Sequence, residues 1–196
     1  MAISSLESGP VTTIGQWSFQ SRDLEFRGRR YGWTKREPWG RFLDLPARTG
    51  ERFELAMDVA SVPGDVERLA RAGWLIRDPV EVSIDWLRYR DYVCSSKAEF
   101  SVAKEMNVAL RSGWFSDRSA CYLAAGRPVV LEDTAFSDVL PVGAGLHAVR
   151  DVEGAAEAIA RIRADERAEN LAARRVAREC FEAERVLGAM LEPVGA

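Results

Sequence analysis

The sequence predicts an α/β fold, a mainly parallel sheet with helices on both faces. Short apolar segments typical of buried strands alternate with segments whose apolar residues recur at helical spacing. The connections between these segments are short, and no internal repeat or low-complexity linker interrupts the alternation. Because a parallel strand pair needs a long crossover, usually a helix, this alternation favours parallel strands over hairpins.

Each predicted strand is a short apolar run between polar turns, and the runs occur at residues 11–14, 53–59, 74–76, 99–103, 128–131 and 145–149. Each predicted helix has amphipathic spacing or a capping residue, and helices are expected at residues 35–43, 65–72, 84–93, 118–125, 152–162 and 171–191. Asp65 is expected to cap the second of these helices, and Gly73 to end it. Residues 1–10 resemble a loose lead-in, so the folded domain is expected to span residues 11–196.

The most informative segment is residues 111–128, RSGWFSDRSACYLAAGRP. A polar, glycine-containing turn precedes a short helix, which is expected to end at Gly126 before an apolar strand. Ser116 or Asp117 is a candidate N-cap. The unpaired N–H groups and the dipole of such an N-terminus favour anions, and Arg118 in the first turn adds a forked donor that suits phosphate. The alternative is that Arg118 is a solvated or ion-paired side chain without a ligand.

Open α/β sheets bind their ligands at the carboxyl ends of the strands. Three loops are expected to meet there, one after residue 14, one around residues 97–101 and one at residues 111–119. The candidate ligand-binding residues in and beside these loops are Gly15, Glu99, Ser101, Lys104, Ser116, Asp117, Arg118 and Ser119. For Lys104 a solvated position is an equal alternative, and Gly15 could form an ordinary turn. Trp114 and Phe115 either stack on a base or close the core.

Composition narrows the function classes. The formal charge is −3 and the pI is near 5.4, which argues against a nucleic-acid-binding surface. No apolar run reaches the roughly 18 residues of a membrane span, and no leader peptide is recognisable. Three widely spaced cysteines without a CxxC motif favour a reducing cytoplasm. Without an Asp-x-Asp motif or a histidine cluster, no metal or other cofactor is expected. The single histidine, His147, is expected in the core or at an edge rather than in catalysis.

The order SKAEFSVAK, RSGWFSDRSACYLAAGRPVVLEDTAFSDVLP and GAGLHAV resembles the C-terminal, nucleotide-sugar-binding domain of GT-B glycosyltransferases. The layout is most similar to that of the group related to spore-maturation glycosyltransferases. In that group an arginine precedes a small-residue turn and a PVV-like strand, and an acidic residue and a GxGL segment follow. Arg118, Gly126, Glu132 and Gly145 hold these places here. The resemblance extends over about residues 11–191 and implies a Rossmann-like domain, one half of a GT-B enzyme.

This resemblance implies that the chain binds a nucleotide-sugar donor. The N–H groups of the Ser116 turn, together with Arg118, would stabilise the diphosphate as it leaves. The resemblance also implies that the acceptor site and the catalytic base lie on an N-terminal domain or a partner chain, so no catalytic residue is assigned here. We expect the isolated chain to bind a nucleoside diphosphate weakly and to transfer no sugar.

Two departures from the family pattern keep a second function class open. Cys121 stands where many GT-B enzymes have a glutamate that holds the donor ribose or sugar, although Glu99 or Glu132 could substitute. The RSGWFS segment matches the related HCGWNS signature only in part. The alternative is a non-catalytic regulatory or interaction domain that retains the GT-B half fold. A dehydrogenase is disfavoured, because no GxGxxG motif follows the first strand.

Overall fold

A computed structural model describes residues 9–18 and 23–192 of the chain. In chain order the strands are β1 (Val11–Gly15), β2 (Leu24–Phe26), β3 (Arg29–Tyr31), β4 (Phe53–Met57), β5 (Trp74–Arg77), β6 (Ala98–Ser101), β7 (Val129–Glu132) and β8 (Leu146–Val149). Six of these strands form a parallel sheet, and β2 and β3 form a separate antiparallel hairpin. The predicted α/β class with a mainly parallel sheet is confirmed.

The order of strands across the sheet is β5-β4-β1-β6-β7-β8. From β1 the chain steps outward through β4 to β5, and it then returns past β1 to β6 and continues outward to β8. This is the doubly wound, Rossmann-like order, in which the winding direction reverses between β1 and β6. Crossovers leave these two strands in opposite directions, so a crevice forms outside their carboxyl ends.

Helices connect the strands and flank the sheet. In chain order they are α1 (Arg36–Trp39), α2 (Leu45–Thr49), α3 (Asp65–Arg71), α4 (Pro79–Ser83), α5 (Trp86–Ser95), α6 (Glu105–Ala109), α7 (Asp117–Ala124), α8 (Val152–Ala164), α9 (Glu166–Phe181) and α10 (Ala183–Leu191). Short 3-10 turns lie at Gly40–Phe42, Val59–Ser61 and Phe136–Asp138.

Both faces of the sheet are buried, as alternate residues of β7 show. Val130 belongs to an aromatic-rich core, whereas Val129 and Leu131 belong to a second core with side chains of α7 and α9. Successive side chains of a strand point to opposite faces, so these two cores lie on opposite sides of the sheet. In the first core the ring of Trp39 lies 5.6 Å from that of Phe100. Burial on both faces explains why β4, β7 and β8 are largely apolar in sequence.

Several predicted boundaries differ from the structure. Gly64, not Asp65, is the N-cap of α3, because the Asp65 carboxylate instead accepts hydrogen bonds from Arg36 and Trp17. The helix predicted over residues 84–93 is preceded by a separate turn of helix, α4, and Asp85 caps α5. The strand predicted over residues 99–103 ends at Ser101. The strand pattern did not predict the β2–β3 hairpin.

The prediction of one long helix over residues 171–191 is wrong. Two helices, α9 and α10, meet at Glu182, whose extended backbone (φ −66°, ψ 127°) ends one helix and begins the next. An extended residue interrupts the i→i−4 hydrogen bonds, although the apolar spacing continues through it. Part of the apolar spacing faces solvent on both helices, since Leu171, Leu187 and Leu191 are all more than half exposed.

Parts of the predicted domain organisation fall outside the description of the structure. Most of the lead-in predicted at residues 1–10 lies outside the described residues, as do positions 193–196 at the other end of the predicted domain.

Within the described chain, no helix combines the length and the apolar composition that a bilayer span requires.

Candidate functional site

The carboxyl ends of β1 and β6 meet the N-terminus of α7 at the point where the strand order reverses. Arg118, in the first turn of α7, reaches both strands. Its Nη1 donates to the backbone oxygen of Ile14 at 2.5 Å, and its Nη2 donates to Ser101 Oγ at 3.1 Å. Gly15 lies close to the same guanidinium, because a Cβ placed on Gly15 would lie 3.4 Å from Arg118 Nη1. The three loops therefore meet, as the sequence predicts.

Glu99 holds Arg118 in this position. Arg118 Nε donates to Glu99 Oε1 at 2.5 Å, and Glu99 is fully buried while 14% of the Arg118 side chain is exposed. Three of the five N–H donors of the guanidinium thus have partners within the protein. Of the two roles considered from the sequence, the structure shows Arg118 as an ion-paired side chain. Glu99 does not line the cleft itself and borders it only through Arg118.

Lys35, directly before α1, brings a second cation to the same hydroxyl. Its Nζ donates to Ser101 Oγ at 3.0 Å, so this oxygen accepts hydrogen bonds from both Lys35 and Arg118. Burial, followed by the positive charge of Arg118, lowers the pKa of Lys35 to about 7, although Glu99 and Glu132 act in the opposite direction. Within residues 9–18 and 23–192, no carboxylate lies within ion-pair distance of the Lys35 ammonium.

Glu132, the last residue of β7, lies in the same cluster of charged side chains as Lys35 and Arg118. Its Oε1 accepts a hydrogen bond from Arg41, and its Oε2 accepts one from the Ala103 N–H at 3.1 Å. Burial raises the pKa of Glu132, and the charge of Arg41 and the Ala103 N–H partly offset this effect. Both Glu99 and Glu132 are therefore bonded to an arginine. Among the described residues no carboxylate is bonded to Lys35, so its protonated form adds an uncompensated positive charge at the carboxyl ends of the strands.

A small cleft lies beside these charged groups. Its lining includes Lys35, Ser101, Ser116, Arg118 and Glu132, with Trp114 at the rim. The cleft joins residues that are far apart in sequence, because the strand order brings the loops after β1, β6 and β7 to one edge. Its charged wall and its position outside the carboxyl ends of the strands suit a small anionic group.

The structure separates the roles of the two neighbouring aromatic residues. Phe115 packs in the second core, where its ring stacks on Phe181 at 5.1 Å and meets the edge of Phe136 at 5.5 Å. Trp114 is 53% exposed and lines the cleft. Of the two alternatives stated from the sequence, core packing holds for Phe115, whereas the indole of Trp114 is accessible to a planar ligand.

The other predicted site residues lie around the cleft rather than in its wall. Lys104 Nζ lies 4.2 Å from the centre of the Trp33 ring, and burial lowers the pKa of Lys104. Asp117 is exposed, and its carboxylate accepts a hydrogen bond from the Arg118 N–H at 2.8 Å. Ser119 is fully buried, and its hydroxyl has no hydrogen-bond partner among the described residues. The structure thus brings together Gly15, Ser101, Ser116 and Arg118, with Glu99 behind them.

His147 and Cys121 stand apart from the cleft lining. His147 is buried on β8, and its Nε2 lies 2.8 Å from Glu169 Oε2 on α9, which confirms the predicted core position. Cys121 is exposed on α7. Among the residues that the structure describes, no group of three or more His, Cys, Asp and Glu side chains is placed to hold a metal ion.

Sequence reasoning missed Lys35 and Glu132 as members of one charged cluster. The sequence places Lys35 at the start of a predicted helix, and it offers Glu132 only as a substitute for the glutamate that Cys121 replaces. One signal was available in the sequence. Only three of the 27 basic side chains are lysines, so a lysine in place of an arginine is unusual in this chain. The proximity of Lys35 and Ser101, which are 66 residues apart, depends on the crossover connections.

No protein-family model matches this chain, and no curated protein matches it either.

Proposed function

We propose that this chain is the donor-binding half of a GT-B glycosyltransferase and binds a nucleotide sugar through its diphosphate. The observation that carries the proposal is the convergence of Lys35 and Arg118 on Ser101 at the reversal point of the strand order. Doubly wound sheets bind nucleotides at this point. Because Glu99 neutralises Arg118, the protonated form of Lys35 provides the excess positive charge for an anion.

Each part of the cleft has a role in this proposal. The diphosphate lies against Lys35 and the N-terminus of α7, where Ser116 lines the cleft. Arg118 directs its two remaining N–H donors to the same anion while Glu99 keeps the guanidinium in place. The exposed indole of Trp114 stacks on the base, because every nucleobase offers a flat π-face.

The mechanism is electrostatic. As the sugar leaves the donor, negative charge grows on the nucleoside diphosphate, and fixed cations and N–H groups stabilise that charge without rearranging. The acceptor and the catalytic base come from an N-terminal domain or a partner chain. The isolated chain therefore binds nucleoside diphosphates and transfers no sugar.

Calorimetry with a panel of nucleoside diphosphates tests this function. Lys35→Met should weaken the binding of the preferred nucleoside diphosphate by about tenfold to a hundredfold, since a hydrogen bond to a charged group contributes roughly 1.5–3 kcal/mol. Trp114→Ala should weaken it too. The matched control is Trp86→Ala, which removes an indole that is 70% exposed and does not line the cleft. If the unaltered chain binds no nucleoside diphosphate, the proposal is wrong.

A non-catalytic interaction domain is the second candidate, and exposed Cys121 favours it. The resemblance places a donor-binding glutamate at this position, and the structure shows a thiol on the surface of α7 instead. Nucleoside diphosphate binding distinguishes the candidates. A donor half binds nucleoside diphosphates in a Lys35-dependent manner, whereas an interaction domain with a degenerate site binds none.

A further inference from the structure

The lysines of this chain are few, and their positions are informative. Three of the 27 basic side chains are lysines, and the rest are arginines. Lys97 forms a partly buried ion pair with Glu51 at 2.8 Å, and Lys104 lies over the Trp33 ring. Lys35 alone among them lines the cleft. Arginine and lysine differ chemically here, because a guanidinium stays protonated whereas a buried amine can lose its proton and become a nucleophile.

The groups around Lys35 favour its neutral amine. Arg118 on α7 and Lys104 after β6 are cations, and both disfavour a further positive charge. Glu99 on β6 and Glu132 on β7 favour the protonated form of Lys35, but each carboxylate is already bonded to an arginine. Burial is the largest effect, and together these groups lower the pKa of Lys35 to about 7. At pH 7 the free-amine fraction is then roughly a thousandfold larger than for an ordinary lysine.

The surroundings also fix where this amine points. Lys35 Nζ donates a hydrogen bond to Ser101 Oγ at 3.0 Å inside the cleft, and two N–H donors of Arg118 have no hydrogen-bond partner among the described residues. A carbonyl compound with a phosphate group could place its phosphate on Arg118 and the N-terminus of α7. Its carbonyl carbon would then lie next to Lys35 Nζ.

We infer that Lys35 is a carbonyl-reactive amine that forms an imine with a small aldehyde or ketone phosphate bound in this cleft. The nitrogen lone pair attacks the carbonyl carbon and a C–N bond forms. The carbonyl oxygen then leaves as water with the two protons of the amine, and a C=N bond remains. No atom is oxidised or reduced, so no further reactant is needed. This inference does not depend on the ligand of the cleft being a nucleotide sugar.

Reductive trapping tests the inference on the full chain. The protein is incubated at pH 7 with pyridoxal 5′-phosphate, the imine is reduced with borohydride, and the modified peptides are identified by mass spectrometry. We expect label on Lys35 at least about tenfold faster than on Lys97 or Lys104, because of its larger free-amine fraction. Pyridoxal, which lacks the phosphate, should label Lys35 more slowly.

Two variants and one competitor complete the experiment. Lys35→Arg keeps the positive charge and should remove the fast labelling, whereas Lys97→Arg should leave it unchanged; melting curves check that both variants are folded. Equal labelling of all three lysines, or equal rates with pyridoxal and its phosphate, would overturn the inference. Protection of Lys35 by a nucleoside diphosphate supports the proposed function. Fast labelling without protection upholds the reactive amine and contradicts nucleotide binding at this cleft.

Discussion

Arg118 and Glu99 form an ion pair that joins the N-terminus of α7 to β6. Arg118 Nε donates to Glu99 Oε1 at 2.5 Å, and the second carboxylate oxygen of Glu99 is buried without a hydrogen-bond partner among the described residues. Because Glu99 is fully buried, it depends on Arg118 for charge compensation. The pair therefore links the stability of the fold to the geometry of the cleft.

Arg118→Ala should lower the free energy of unfolding by about 3–5 kcal/mol, because it leaves the buried charge of Glu99 uncompensated. Urea denaturation measures the loss. Arg88→Ala is the matched control, since Arg88 is exposed and its ion pair with Asp85 is long, at 3.8 Å. The double variant Arg118→Ala/Glu99→Ala should recover part of the loss. A stable Arg118→Ala protein, within about 1 kcal/mol of the unaltered chain, would contradict the buried pair.

The lowered pKa of Lys35 predicts a pH-dependent stability. Between about pH 7 and the ordinary lysine pKa of 10.5, the unfolded chain binds more protons at this position than the folded chain. Stability therefore rises with pH across this window. Relative to Lys35→Met, the unaltered chain should gain free energy of unfolding when the pH is raised from 7 to about 9. Parallel urea titrations at the two pH values measure the change, and a difference that does not depend on pH would rule out a perturbed Lys35.

Gly145 precedes β8 at a close contact with α9. Its φ is +73°, and a Cβ at this position would lie 2.2 Å from the backbone nitrogen of Ala173. Gly145→Ala should therefore destabilise by about 1–3 kcal/mol more than backbone strain alone requires, because the helix must move. Gly143→Ala is the control: Gly143 has a φ of +111° but nothing within 4 Å. Thermal unfolding of both variants compares them, and equal losses would mean that α9 does not constrain this position.

Glu169 ties α9 to β8. Its Oε2 accepts a hydrogen bond from the Gly145 N–H at 2.7 Å and lies 2.8 Å from His147 Nε2. Glu169→Ala should cost about 2–4 kcal/mol, since two buried polar groups lose their partner. Glu179→Ala, on the exposed side of the same helix, should change the free energy of unfolding by less than about 0.5 kcal/mol. Chemical denaturation of both proteins decides, and similar small losses would contradict a structural role for Glu169.

Local patterns in the sequence were sufficient for the class of fold. Strands buried on both faces are mostly apolar, and β4 and β7 each contain a single acidic residue among apolar ones. The start of α7 was also predictable, because the turn before Asp117 contains polar residues and a glycine. The break at Glu182 was not predictable from amphipathic spacing, because the spacing of α9 and α10 continues through it while the backbone of one residue becomes extended.

The sequence by itself determined the alternation of strands and helices and the three loops that meet at one edge of the sheet, since these follow from short-range patterns of apolar and turn residues. Only the tertiary structure decided which charges compensate one another. The local sequence around Arg118 is that of a phosphate-binding turn, but in the fold Arg118 forms an ion pair with Glu99, which lies on β6. The local sequence of Lys35 is that of an ordinary surface lysine. Its position beside Ser101 and Arg118 depends on the crossover connections of the fold. The strength of an electrostatic interaction and the cost of desolvating its charges depend on distance and burial, and folding fixes both quantities.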